Sequence, residues 1–541
     1  MSLSQVERET LLEVAESLVK EGSLSGLAAY GSKVAGYARS DSDYDILVVS
    51  PNYKEGVRYR YVHGPFEASA LVLDESFLMR DASSSFLGEF VAGRFLNVYE
   101  PITNPTLFRK AEVEYKKRVI VDELVELSSD YGSFCGQLRI PYDYFLFSKL
   151  KKRAMVYPPA LYSYVQTYTC PSAPENRAAS VSGFAQAAKE LSPRGFLIAE
   201  EDHVRVVPAK MQGDAFTKFS SLFSQTARSV TQYAVHGYAG RVGLGIVKKE
   251  ASSKLKRMQE RRAPPVELEK PKSLLKLEEG VVVPSASEMN GQLAKIAGFP
   301  KFSVRERSLG ETYTTAKVVT VSDGSSERSF FVKNFSDVMS LKWAFLGVWA
   351  ASARKFSMTP IARLDREYTA CRALRRLGVD TPTVVAVSPD ERIMALDFIE
   401  GPNLASIVDG MFRGEGSGTG AVREYGGVMA KAHSGGMSIG DAKASNVIVS
   451  ERGLFLTDLE QSVRGGDTAW DVAEFLYFTA KLSSKEAVMQ SLADAFLEGY
   501  SEHGDKSVIG RARVSKYLAP FRPFLTPGMI RTVREQLDRH S

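Results

Sequence analysis

The stretch SIGDAKASNVIVSERGLFLTDLE, residues 438–460, decides how the second half of this chain folds. Two apolar runs, Val447-Ile448-Val449 and Leu454-Phe455-Leu456, flank the turn Glu451-Arg452-Gly453, and that pattern predicts a hairpin. Just ahead of the hairpin, Asp441 and Asn446 stand five residues apart; its returning strand leads into Asp458. Phosphoryl transfer requires an acid to orient the acceptor hydroxyl, with an amide and a second acid to hold a metal ion. Lys443, two residues after Asp441, is placed to neutralise the transferring group.

Upstream, the apolar strand Phe330-Phe331-Val332 delivers Lys333, suited to the α- and β-phosphates of a nucleotide. Glu367, in a helix running from Arg366 to Leu377, is its expected ion-pair partner. The segment Leu396 to Gly401 reads as a hinge in which Asp397 and Ile399 receive adenine. Gly310 with Thr312, Thr314 and Thr315 stands where a glycine-rich lid would close over the phosphates. His433 reads as a packed helical residue without a role.

In this order, Lys333, Glu367, Glu400-Gly401, Gly440-Asp441-x4-Asn446, Asp458 and Trp470-Asp471-Val472 resemble the protein-kinase-like superfamily, most closely the compact kinase of the archaeal KEOPS complex and the RIO-type kinases. The resemblance covers about residues 300 to 485. It implies a bilobal ATP-binding domain with Mg²⁺ on Asn446 and Asp458, and Asp471 supporting the catalytic loop from the following helix. Two departures put activity in question: Ile439 replaces the usual histidine, and Asp458-Leu459-Glu460 replaces Asp-Phe-Gly. Asp458 and Asp471 are thirteen residues apart, too close for a long activation loop, so a small-molecule or RNA-linked acceptor is as well served as a protein.

A second set of phosphate-handling residues lies near the other end. Gly31-Ser32 is followed, after ten residues, by Asp43-Tyr44-Asp45 and the apolar run Ile46 to Val49. Alternate residues of a strand share a face, so Asp43 and Asp45 present two carboxylates together, able to bridge Mg²⁺. Glycine leaves backbone N–H groups open to phosphate oxygens. Residues 20 to 75 resemble the nucleotidyltransferase superfamily of DNA polymerase β, the CCA-adding enzymes and the minimal nucleotidyltransferases. That resemblance implies a third metal-binding acid on a neighbouring strand, either Glu67 or, at the far end of the same run, Asp74.

At 541 residues the chain exceeds a single core. A 44% apolar, 25% charged composition with net charge +5 describes a globular protein and by itself calls for no nucleic-acid partner. Three scattered cysteines make neither a disulfide framework nor a metal knuckle, which fits a cytoplasmic protein, and the longest apolar stretch, residues 341–353, is too short for a membrane span. Lys149, Lys151, Lys152 and Arg153 among Tyr142, Tyr144, Phe145, Phe147 and Tyr157 form either a polynucleotide cradle or an ordinary core with a solvated face.

The expected fold class is α+β and multidomain: a nucleotidyltransferase α/β domain (1–110), a helical and winged-helix-like region (111–212), a linker (213–300) and a bilobal protein-kinase-like domain (301–541). The expected function is a Mg²⁺-dependent enzyme with two heads. Asp43 and Asp45, with Gly31 and Ser32, would transfer NMP from an NTP, and Asp441 and Lys443 would transfer phosphate from ATP to an RNA or protein acceptor or a small molecule. The alternative is a nucleotide-binding scaffold that turns nothing over.

Overall fold

A buried aspartate organises much of the first unit. In the computed structural model residues 3–20, 23–64, 66–211, 263–309, 316–335 and 359–541 are described, and the chain divides into Met1–Lys276 and Leu277–Ser541. The first unit opens with helix α1 (Gln5–Ser17), whose Ser4 and Glu7 form a capping box. A five-stranded sheet follows in the order β3-β4-β2-β1-β5, made of β1 (Gly26–Tyr30), β2 (Tyr44–Ser50), β3 (Val57–Val62), β4 (Ala68–Asp74) and β5 (Tyr99–Thr103). β2 and β4 run parallel, and their continuous apolar runs are buried along their length, as for strands covered on both faces. Sequence reading found β1, β2 and β4 and missed the edges. Arg58 and Arg60 disguise β3, and Pro101 disguises β5, a residue tolerated only where a strand lacks a second neighbour.

Gly31 leads into a single helical turn, α2 (Ser32–Ala35), and α3 (Glu75–Ser84) follows β4. The apolar run from Phe86 to Phe95 would suit a helix, but it forms a turn and a short 3-10 segment, Ala92–Leu96. Gly88 and Glu89 both take positive φ, 63° and 65°, which no right-handed helix accommodates. The buried Asp81 carboxylate then accepts the main-chain N–H groups of Leu87, Glu89, Val91 and Ala92 at 2.8–3.0 Å, doing for this loop what a helix would have done internally.

Four helices complete the unit with a small sheet: α4 (Pro105–Tyr131), β6 (Leu138–Pro141), α5 (Tyr142–Val156), α6 (Pro159–Thr169), α7 (Ala173–Leu191), β7 (Leu197–Ala199) and β8 (His203–Val206). β8 pairs antiparallel with both β6 and β7. The basic and aromatic segment of α5 is not a polynucleotide cradle. Tyr142, Tyr144, Phe145 and Phe147 are buried; Lys149 and Arg153 pair with Glu89, Lys152 with Glu123 and Glu126, and Lys151 donates to the Glu269 carbonyl. The expected linker 213–300 is also too long, for residues 263–300 are built into the two units. A short helix Val266–Glu269 packs on α5, and Met289, Leu293 and Ala294 enter the core of the second unit.

That second unit has β9 (Val281–Val282), α8 (Ala286–Ala297), β10 (Ser303–Ser308), β11 (Ala316–Ser322) and β12 (Glu327–Asn334). Next come α9 (Pro360–Arg376), β13 (Val384–Ser388) and β14 (Ile393–Asp397). These strands line up as β10-β11-β12-β14-β13-β9. The rest is mainly helical: α10 (Leu404–Arg413), α11 (Thr419–Ser434), α12 (Thr468–Ala480), α13 (Glu486–Ser501), α14 (Lys506–Ala512) and, last, α15 (Pro527–His540). Between α11 and α12 lie two small ladders, β15 (Met437–Ser438) with β18 (Val463–Arg464), and the predicted hairpin β16 (Val447–Ser450) and β17 (Gly453–Leu456).

Candidate functional site

Asp471, Glu474 and Phe478 recur every three or four residues of α12 and so share one face. The loop carrying Asp441 is laid along that face in register. The N–H groups of Ile439 and Gly440 donate to the two Asp471 carboxylate oxygens at 2.6 and 2.8 Å, and Ala442 N–H donates to Glu474 at 3.0 Å. The Lys443 ammonium lies 5.2 Å from the Phe478 ring centroid. Asn446 Nδ2 donates to the carbonyl of Asp441 at 2.9 Å and to its carboxylate at 3.1 Å, while Lys443 pairs with the other carboxylate oxygen. Asp441, Lys443 and Asn446 are thus brought together. Burial and the neighbouring Asp441 push Glu474 well above the usual carboxylate range, toward its neutral form.

Sequence reading assigned His433 no role, and the structure gives it one. At the end of α11 its Nε2 lies 3.0 Å from Asp471 Oδ2 and its Nδ1 lies 2.9 Å from the Tyr500 hydroxyl. An ionised carboxylate only accepts, so Nε2–H donates to Asp471 and Nδ1 accepts from Tyr500. This histidine braces the loop from the far side of Asp471, which explains how Ile439 can occupy a position where a loop-bracing side chain was expected. The signal lay in its place, six residues before Ile439 at a helix end. Replacing His433 by alanine is expected to lower kcat by about 10- to 100-fold through misplacement of the loop, with KM for ATP nearly unchanged and His433→Asn recovering part of the loss in steady-state kinetics.

Lys333, on β12, sits between three carboxylates. Its ammonium is 2.7 Å from Glu367 on α9 and 3.1 Å from Glu460, and it also pairs with Asp458. Burial works against the charge, but Asp458, Glu367 and Glu460 hold its pKa well above the ordinary lysine range. Asp458 takes φ = 55°, a left-handed conformation that aspartate adopts more readily than most residues with a side chain. Glu460, where glycine was expected, is buried against Arg363 at 3.4 Å. Arg363 and Glu367 are four residues apart on α9, so one helix supplies both the balancing cation and the lysine partner.

Burial, together with Asp458 and Glu460, raises the Glu367 carboxyl to about 7 against the opposing pull of Lys333. Only its ionised form pairs with Lys333, so ATP affinity should rise with pH through that value. Glu460→Gln removes one of the raising charges and should move the midpoint to lower pH; an unmoved midpoint in titrations of a fluorescent ATP analogue contradicts this reading.

At the hinge, the Asp397 carboxylate is engaged by Arg328 at 2.9 Å and Ile399 is buried. Gly401 has φ = 144°, and a Cβ there would stand 2.1 Å from the Val449 carbonyl oxygen, so no other residue fits where the hinge meets β16. The expected lid residues Gly310, Thr312, Thr314 and Thr315 lie outside the described residues.

In the first unit, β1 and β2 pair so that Tyr30 stands opposite Asp45. Gly31 has φ = 79°, and a Cβ on it would lie 2.1 Å from Asp45 Oδ2. The carboxylate therefore rests directly over the Gly31-Ser32 turn, with Asp43 half-buried in the loop before β2. The third acid is not brought in. Glu67 is 71% exposed at the mouth of β4, 3.7 Å from His63, and the β4 residue paired with Asp45 is Ser69. Asp74 caps α3 and accepts Tyr53 N–H, five residues or about 17 Å away along the strand. Among the described residues, the acids that offer oxygens within 4.8 Å of one another in a group of three are Glu367, Asp458 and Glu460. Carboxylate oxygens grouped in this way are the donor type that hard cations take.

Against curated proteins, the chain is 31% identical over 164 residues to a probable serine/threonine-protein kinase BUD32 homolog of Archaeoglobus fulgidus, covering 28% of this chain and 78% of that protein. Among solved structures, WaaP in complex with acyl carrier protein is matched at 14% identity over 46% of this chain and 92% of that one, with a TM-score of 0.28. That likeness is too distant to carry an argument. No family model matches.

Proposed function

This chain belongs to the BUD32-like family of protein kinases, and from that premise we propose that its C-terminal unit transfers the γ-phosphoryl group of ATP to a hydroxyl. The observation that carries this is the Lys333–Glu367 pair at 2.7 Å, buried beside Asp458, together with the Asp441–Asn446 loop fixed on Asp471. Lys333 and Glu367 position the nucleotide, Asp441 orients the acceptor oxygen and takes its proton, and Lys443 faces the charge that develops on the phosphoryl group. Mg²⁺ on Asn446 and Asp458 would neutralise the triphosphate. Asp458, paired with Lys333 in this structure, would be one of the residues holding that metal, and Lys333 would face the α- and β-phosphates. Purified protein should release ADP from MgATP.

A second reading, a nucleotide-binding scaffold, is favoured by one feature: Lys333 is already satisfied by three carboxylates. Nucleotide binding without ADP release selects that reading.

For the N-terminal unit we propose Mg²⁺-dependent nucleotidyl transfer from an NTP, with Gly31 and Ser32 on the triphosphate and Asp43 and Asp45 on the metal. The close seat of Asp45 over Gly31 supports it, and Glu67 and Asp74 stand away from the pair. Gly31→Ala would drive a methyl into that carboxylate, so pyrophosphate release from NTP should fall at least tenfold while ADP release stays unchanged. We read the element order α4-β6-α5-α6-α7-β7-β8 as a winged-helix-like unit with one added helix. Its α7 exposes Pro174, Glu175, Ala178, Ala179, Ser182, Lys189 and Glu190, so one exposed lysine stands with two glutamates, and Arg177 is engaged by Asp143 and Glu267. A face so poor in cations suits a protein partner better than RNA. Three buried free cysteines suit a cytoplasmic location, and no helix among the described residues is long and apolar enough to cross a membrane.

A further inference from the structure

The face of α12 that positions the catalytic loop continues past it. Asp471 and Glu474 take the loop N–H groups, Phe478 receives the Lys443 ammonium at 5.2 Å from its centroid, and Lys481, one residue beyond the helix, folds back over the same ring at 3.4 Å. Two ammonium groups therefore share one aromatic ring. Lys443 is balanced by Asp441; among the described residues, no carboxylate pairs with Lys481. Partial burial and the like charge of Lys443 hold the Lys481 pKa below the ordinary lysine range. Glu474, the other acid here, is pushed toward its neutral form. A cation–π contact stabilises an exposed ammonium by only ~0.5–1 kcal/mol, so the pair leaves unmet positive charge beside the acid that orients the acceptor.

We propose that Lys443, Phe478 and Lys481 form an anion subsite for the acceptor, and that the acceptor is a small hydroxyl compound bearing a phosphate monoester. The proposal rests on the kinase reading of the same site. Lys481 brings a charge that no carboxylate among the described residues balances, and Lys443 beside it adds a second set of N–H donors, a pairing that suits the several oxygens of a phosphate monoester. Phe478 lies four residues beyond Glu474, about 6 Å along the helix axis, which places the anion within one sugar or polyol of the oxygen that Asp441 orients. A peptide acceptor is less suited. The short segment after Asp458 folds straight back through β18 onto β15 and enters α12, leaving no strand to present a peptide. In the transfer, the acceptor oxygen forms a bond to the γ-phosphorus and gives its proton to Asp441. The bond from the γ-phosphorus to the bridging oxygen breaks, and ADP leaves with that electron pair.

The test uses the full chain with Mg²⁺ and a non-hydrolysable ATP analogue, titrated calorimetrically with inorganic phosphate as the probe. Wild type should bind phosphate, Lys481→Gln should bind it at least about tenfold more weakly, as for loss of one charge-assisted contact, and Lys485→Gln, an exposed neighbour, should bind as wild type does. Affinity for the ATP analogue should be equal in all three. No phosphate binding by wild type, or equal binding by wild type and Lys481→Gln, overturns the subsite. Failure of the ATP analogue itself to bind would instead remove the kinase reading beneath it.

Discussion

Asp441→Asn is expected to lower the proposed γ-phosphoryl transfer by about 10²–10⁴-fold, the usual contribution of a positioned proton acceptor, and to leave the dissociation constant for ATP within about threefold of wild type. The separation follows from the geometry. Asp441 touches Asn446 and Lys443, whereas the residues proposed to position the nucleotide, Lys333 and Glu367, pair with each other on a different pair of elements. The main-chain N–H groups that fix the loop go to Asp471 and Glu474, so the amide replacement leaves the fold of the loop unchanged. A rapid-quench measurement of ADP formation with a parallel binding titration checks both halves. Equal losses in rate and affinity would show that Asp441 supports the nucleotide site and not the acceptor.

Glu89→Gln is expected to destabilise the N-terminal unit by about 3–5 kcal/mol, the cost of removing one partner from a buried ion pair. Glu89 is 5% exposed and faces three cations, Arg118 at 2.9 Å, Lys149 at 2.9 Å and Arg153 at 3.3 Å. Glutamine keeps the shape and strands all three charges. Burial alone would raise the Glu89 pKa, but Lys149, Arg118 and Arg153 outweigh it and hold the carboxyl far below the ordinary range. A depressed folded-state pKa contributes stability that is complete above the unfolded value near 4.5 and lost as pH falls below it. The gap between wild type and variant should therefore be widest at neutral pH and shrink in acid. The first unit, Met1–Lys276, holds no tryptophan, and Trp470 is buried in the second, so tryptophan fluorescence does not report the first unit. In urea, the circular-dichroism transition should move to lower concentration in Glu89→Gln while the tryptophan transition stays put. Movement of both together contradicts the assignment.

How legible these features were in sequence depended on whether the deciding contact was local. The hairpin after Asn446 and the strands carrying Asp45 and Lys333 were readable because turn residues and apolar runs act over a few positions. The loop after α3 was not, since its shape comes from Asp81 collecting four N–H groups up to eleven residues away. His433 was missed for the same reason: its partners Asp471 and Tyr500 are 38 and 67 residues distant. Glu460 looked like a defect in the metal site because Arg363, its partner, lies 97 residues upstream. The basic run of α5 looked available for nucleic acid because the glutamates that neutralise it belong to α4 and to the loop after α3. Glu67 was chosen for its place on the neighbouring strand, yet the register sets Ser69 beside Asp45.

The central claim is that the two halves carry separate, working phosphate chemistries, and the direct test is ATP labelled separately at the α and γ positions, incubated with Mg²⁺, protein and candidate acceptors. The account predicts transfer of the γ label that is lost in Asp441→Asn and kept in Asp45→Asn, and transfer of the α label with the opposite dependence. Measurable nucleotide binding with neither label transferred would contradict it.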